Sequence, residues 1–172
     1  MVRVLISYAS FSGNTKEVAE IIENRLAREG FAVEKYRINR LNRDIPDLSR
    51  FDLIFLGTFT WGKGATPEIV KDFVYKIGYK PANVFIFGTG DTQFGGDELF
   101  CKACDKLAKF YGSTYEPLKI EQSPRGAQEK KVTEWTEGVI EHWKSSLKKQ
   151  PFWSRKIRTD RPPFSAGRPA GS

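Results

Sequence analysis

The chain has little with which to hold a metal: a single histidine, His142, and two cysteines, Cys101 and Cys104, among 172 residues. A CxxC pair can mark a redox site or half of a zinc site, but the other ligands of a four-coordinate zinc are missing. In the amphipathic segment "DELFCKACDKLAKFY", the simpler reading is structural, with one cysteine packed in the core and the other near the surface. Long apolar runs are missing too. None approaches the ~20 residues that cross a bilayer. The N-terminal run is short and broken by Arg3, unlike a secretory signal. A soluble, cytoplasmic protein with no membrane span is expected. No acid, base or nucleophile stands in a recognisable catalytic pattern, so no catalytic residue is assigned.

An even spread of positive charge is also absent. The net charge is +7, yet the first 143 residues hold 20 basic and 20 acidic side chains. The excess lies from Lys144 onward, where eight Lys or Arg face one acid, Asp160. A generally basic nucleic-acid-binding surface is therefore not supported. From Gln150 the segment "PFWSRKIRTDRPPFSAGRPAGS" follows, with four prolines and no periodicity. It is expected to be an extended or disordered tail, residues 150–172, behind a folded domain of residues 1–149. A basic arm touching an acidic partner, nucleic acid or lipid is the functional alternative.

What the chain does have is alternation. Five apolar runs, "VRVLISY" (2–8), "FAVEKYRI" (31–38), "DLIFLGT" (52–58), "NVFIFGT" (83–89) and "STYEPLKI" (113–120), read as strands. The third and fourth are almost wholly apolar, as central parallel strands covered on both faces should be. The second carries Glu34, Lys35 and Arg37 and suggests an edge. Helical spacing separates them: Val18, Ile21, Ile22 and Leu26; then Ile69, Val70, Phe73, Val74 and Ile77 after Thr66-Pro67, with proline expected at the first helical position. A single helix is expected over 97–111 and another over 128–147, with only a short helix or loop at 39–50. Five alternations predict a doubly wound α/β fold, a five-stranded parallel sheet of order 2-1-3-4-5 with helices on both faces.

In such a sheet, ligands bind beyond the carboxyl ends of the strands, at the switch point. After strand 1 stand Ser10, Phe11, Ser12, Gly13, Asn14 and Thr15: small donors at a helix start, with no cation among them, which suits a phosphate. An ordinary capped turn would need only one of them. The loop is neither a Walker A nor a GxGxxG motif. After strand 3 comes Thr58-Phe59-Thr60-Trp61-Gly62-Lys63-Gly64, and after strand 4 Thr89-Gly90-Asp91-Thr92-Gln93-Phe94. Two aromatics on neighbouring loops can sandwich a flat ring whose polar edge meets backbone groups.

The motifs "SFSGNT", "GTFTWGKG" and "GTGDTQF…FCKACDKL", in this order, resemble the phosphate loop and two ring-binding loops of flavodoxins of the short-chain type, over residues 1–147. The resemblance implies a flavodoxin-like fold, non-covalent FMN and one-electron transfer between redox partner proteins: a flavin or iron–sulfur reductase and an acceptor enzyme. It implies that Ser10, Phe11, Ser12, Gly13, Asn14 and Thr15 hold the 5′-phosphate region. Thr58, Phe59, Thr60, Trp61 and Gly62 would line one side of the ring; Thr89, Gly90, Asp91 and Phe94 the other. A low-potential carrier acting as a monomer is expected. The alternative is a flavodoxin-like protein with its own role, a quinone reductase or a ribonucleotide reductase activator, although the intact "TWGKG" counts against the latter.

Three departures stand out. Phe94 replaces the usual stacking tyrosine, residues Gly95 to Glu98 form an apparent insertion, and Lys63 stands where a carboxylate is common. The last predicts a less reducing second couple than acidic flavodoxins have.

Overall fold

The computed structural model describes residues 1–60, 63–93 and 96–150. Five strands alternate with helices: β1 (Arg3–Tyr8), α1 (Asn14–Arg28), β2 (Ala32–Arg37), β3 (Leu53–Phe59), α2 (Glu68–Ile77), β4 (Val84–Gly90), α3 (Gly96–Leu99), α4 (Lys102–Tyr111), β5 (Leu118–Glu121) and α5 (Ala127–Lys148). The strands form one sheet in the order β2-β1-β3-β4-β5, and every pairing is parallel. The expected topology is the observed one.

The period of two along each strand sorts the core into two layers. Val4, Ile6 and Tyr8 of β1, Leu53 and Phe55 of β3, and Phe85 and Phe87 of β4 pack with Val18, Ile22 and Leu26 of α1 and Val139, Ile140 and Trp143 of α5. Their neighbours Leu5, Ile54, Leu56, Val84 and Ile86 face the other way, onto Val70 and Phe73 of α2 and Cys104 and Leu107 of α4. Strand β3 is buried along six of its seven residues, whereas β2 is largely exposed, as its charges require.

Local details differ from expectation for physical reasons. The region 39–50 forms a loop closed by one 3-10 turn, Leu48–Arg50, with Asp47 accepting from the Ser49 N–H at 3.1 Å. Pro67 occupies the cap rather than the first helical turn, and its carbonyl accepts from Val70 and Lys71. Strand β5 starts only at Leu118, because Pro117 has no N–H to give the ladder. Before it, the Trp135 indole donates to the Glu116 carbonyl at 2.8 Å and ties the segment to α5.

The single helix expected over 97–111 is broken. Cys101 takes a left-handed conformation, φ 51°, between α3 and α4. Both cysteines are consequently buried, not one, and each is completely inaccessible to solvent. The space for them comes from glycines on β4. A side chain at Gly88 would run into the Cys104 sulfur and come within 2.7 Å of the Thr58 carbonyl, and a Cβ at Gly90 would lie 3.1 Å from the Cys101 sulfur.

Candidate functional site

The three predicted loops meet at the carboxyl edge of the sheet, because β1, β3 and β4 are adjacent and end together. The first loop turns on Gly13, whose φ of 98° is open to glycine and costly for other residues. Its N–H donates to the Ser10 hydroxyl at 3.1 Å, and the Lys16 N–H reaches the same oxygen at 3.3 Å. Ser10 therefore shapes the loop from within.

What remains is a set of donors without acceptors. Helix α1 has no side-chain cap. Among the described residues, the N–H groups of Asn14 and Thr15 and the side chains of Ser12 and Asn14 make no hydrogen bond. The first turn of a helix offers such N–H groups, together with the positive end of its dipole. The arrangement fits a phosphate-type anion, which would receive several directed donors.

Thr15 itself points inward. Its hydroxyl lies 2.9 Å from that of Thr89 and 3.5 Å from the Thr58 carbonyl, and all three threonines are buried. This joins the ends of β1, β3 and β4 beneath the loops. Beside it, the Phe59 ring meets Phe11 at 6.1 Å between centroids, and Phe11 remains 72% exposed. The Thr60 N–H donates to the Thr89 carbonyl at 3.2 Å, and the Thr60 hydroxyl accepts from the Ala103 N–H at 3.4 Å. On the third loop, Gly90 ends β4 and the Asp91 carboxylate accepts from the Gln93 N–H at 2.9 Å and the Gln122 amide at 3.1 Å. Trp61, Gly62 and Phe94 lie outside the described residues.

The structure thus brings Ser10, Phe11, Ser12, Gly13, Asn14, Thr15, Thr58, Phe59, Thr60, Thr89, Gly90 and Asp91 to one edge. It adds Arg37, the last residue of β2, whose guanidinium donates to the Ser10 carbonyl at 3.3 Å. The available signal was its position at the end of the strand expected beside strand 1. Below the third loop, the Cys104 thiol is pushed up by its contact with Cys101 and by burial, which keeps it protonated. Among the described residues no cluster of His, Cys, Asp or Glu could hold a metal ion.

Comparison with known proteins gives this geometry a family. The flavodoxin profile matches residues 6–135. The chain belongs to the flavodoxin family. Flavodoxins bind FMN and carry electrons rather than catalyse a reaction of their own, and the chain is an FMN-binding electron carrier on that ground. It is 31% identical to probable flavodoxin 2 of Bacillus subtilis over 77% of this chain and 90% of that one. It is 34% identical to probable flavodoxin 1 of the same organism, over 72% and 80%. The crystal structure of oxidised flavodoxin 2 from Bacillus cereus superposes with a TM-score of 0.71 at 31% identity, covering 82% of this chain and 99% of that one. Against this flavodoxin assignment, neither a quinone reductase nor a ribonucleotide reductase activator is favoured.

Proposed function

We propose that this flavodoxin holds FMN by the three loops at the sheet edge and shuttles single electrons at low potential between a flavin or iron–sulfur reductase and an acceptor enzyme. In this reading the protein works as a monomer in the cytoplasm. No helix among the described residues is long and apolar enough to cross a membrane.

The observation that carries the reading is the first loop, whose N–H groups at Asn14 and Thr15 have no protein acceptor. They and the side chains of Ser12 and Asn14 would take the phosphate, with Gly13 supplying the turn and Ser10 holding its shape. Phe59, Thr58 and Thr60, with Trp61 and Gly62, would line one side of the ring. Thr89, Gly90 and Asp91, with Phe94, would line the other. FMN supplies the redox chemistry when bound; the protein binds it, excludes water from its faces and sets the charge around it.

Purified protein is expected to be yellow and to release FMN in about equal molar amount, identified by chromatography. Reductive titration should then proceed in two one-electron steps. A colourless protein that cannot be reconstituted with FMN would overturn the assignment, and a single two-electron step would overturn the shuttle.

A further inference from the structure

The charges of the folded body balance in number but not in place. At the carboxyl edge, on the side of β2, lie four exposed cations: Lys16 after the first loop, Arg37 at the end of β2, and Arg40 and Arg43 beyond it. The acids in the same segments are Glu17, which pairs with Arg125 at 3.8 Å, exposed Asp44, Asp47, which pairs with Arg50 at 3.6 Å, and Asp52, which accepts from the Arg3 N–H at 2.8 Å. The side chains of Lys16, Arg40 and Arg43 form no ion pair among the described residues. Among the described residues, Arg37 donates only to a carbonyl, that of Ser10.

Two large apolar side chains stand among these cations. Phe11 is 72% exposed and Leu41 56% exposed. Leu41 is not on a loose loop. The next residue, Asn42, is buried; its amide donates to the Ile69 carbonyl at 3.3 Å and to Asp72 at 3.1 Å, fixing the loop to α2. Asn39 accepts from the Leu41 and Asn42 N–H groups at 3.0 and 2.8 Å, and Lys76 donates to the Leu41 carbonyl at 3.0 Å. A held apolar side chain loses little freedom when it is covered. Exposed apolar centres inside a rim mainly of one charge sign are the anatomy of a docking surface.

We infer that this face, from Phe11 and Lys16 across Arg37 and Arg40 to Leu41 and Arg43, docks an acidic redox protein beside the proposed flavin site. The inference rests on the electron-carrier reading above. The partner is identified by chemistry: a one-electron protein whose reacting group is ringed by carboxylates with an apolar spot among them. Cations placed beside the exit point steer such a partner, so the encounter is faster at low salt.

The test follows electron transfer from chemically reduced holoprotein to two haem proteins, acidic cytochrome b5 and basic cytochrome c, by stopped flow. One electron leaves the flavin for each ferric haem that becomes ferrous. The second-order rate constant with cytochrome b5 is expected to fall as salt is raised, and that with cytochrome c to rise or stay flat. The double variant R40E/R43E should lose about tenfold or more with cytochrome b5 at low salt. R28E/K109E makes the same net charge change at the far ends of α1 and α4 and should lose less than about twofold. Leu41→Ser should raise the dissociation rate of the complex with its salt dependence intact.

FMN content, and the rate with a neutral quinone, should match wild type in all variants. Loss of FMN in the wild-type protein would mean the carrier reading has failed, whereas intact FMN with equal losses in both double variants would overturn the docking face alone. A faster, salt-weakened reaction with cytochrome c would overturn it as well. So would loss of binding to phosphatidylglycerol vesicles in R40E/R43E with unchanged cytochrome b5 rates, which would assign the face to lipid.

Discussion

At the scale of the residue, the site is a matter of where charges are and are not. Lys63 is exposed on the loop that follows β3, at a position where the resemblance to flavodoxins implies a carboxylate. A cation there stabilises every added negative charge on the flavin. At ~10 Å and an effective dielectric of ~20, one unit charge is worth about 1.7 kcal/mol before screening by salt. Lys63→Glu changes the local charge by two, and roughly 1.4 kcal/mol corresponds to about 59 mV for one electron. The second reduction potential of K63E should therefore be lower than that of wild type, by an amount on the order of 100 mV at low salt. Redox titration of the pair measures this, and an unchanged or higher second potential in K63E would show that the loop charge does not reach the flavin.

At the scale of the element, α1 and α5 lie side by side under one face of the sheet and are joined by a charged cluster. Glu29, at the end of α1, accepts from Lys144 of α5 at 2.7 Å and from Arg25 at 3.1 Å; Arg25 also donates to Glu137 of α5 at 2.9 Å. The Lys144 hydrogen bond first, and then that from Arg25, hold the Glu29 carboxyl below the usual glutamate range. A carboxyl lowered in the folded state favours folding above its unfolded value of about 4.5, and that contribution is lost as pH falls through the lowered value. In urea titrations, Glu29→Gln should be less stable than wild type at pH 7, and the gap should close as pH falls through the lowered value of the folded state. A gap constant with pH would assign the loss to packing instead.

The elements show what a sequence can and cannot reveal. The strands and the burial of β3 and β4 were legible because each depends on periodicity, and periodicity survives without coordinates; the strand order followed from their number. The place of the first loop, between β1 and the start of α1, was legible for the same kind of reason. The break at Cys101 was not. It follows from the fit of two sulfurs against Gly88 and Gly90, which are far away in the chain and carry no local signal. The late start of β5 was readable in principle, because Pro117 cannot donate to a ladder, but the apolar pattern around it outweighed that cue. Arg37 was seen only as a charge on an edge strand, because its bond to the Ser10 carbonyl depends on the β1–β2 register.

At the scale of the whole molecule, the question is how much of the chain the electron carrier needs. Among the described residues, the last side chain to pack on either core layer is Leu147, and α5 ends with Lys149 and Gln150 donating to the Ser146 and Leu147 carbonyls. Residues 151–172 hold five Lys or Arg and one acid, so they carry more than half of the +7 net charge. If the fold and the site belong to residues 1–150, then removing the remainder should cost neither. The truncated protein is expected to bind FMN with the stoichiometry and visible spectrum of the full chain. Its urea midpoint should also be unchanged. What should change is long-range attraction: association with acidic proteins at low salt should slow, while the difference between wild-type and R40E/R43E rates persists. Loss of FMN or a lowered midpoint on truncation would instead make the basic segment part of the fold.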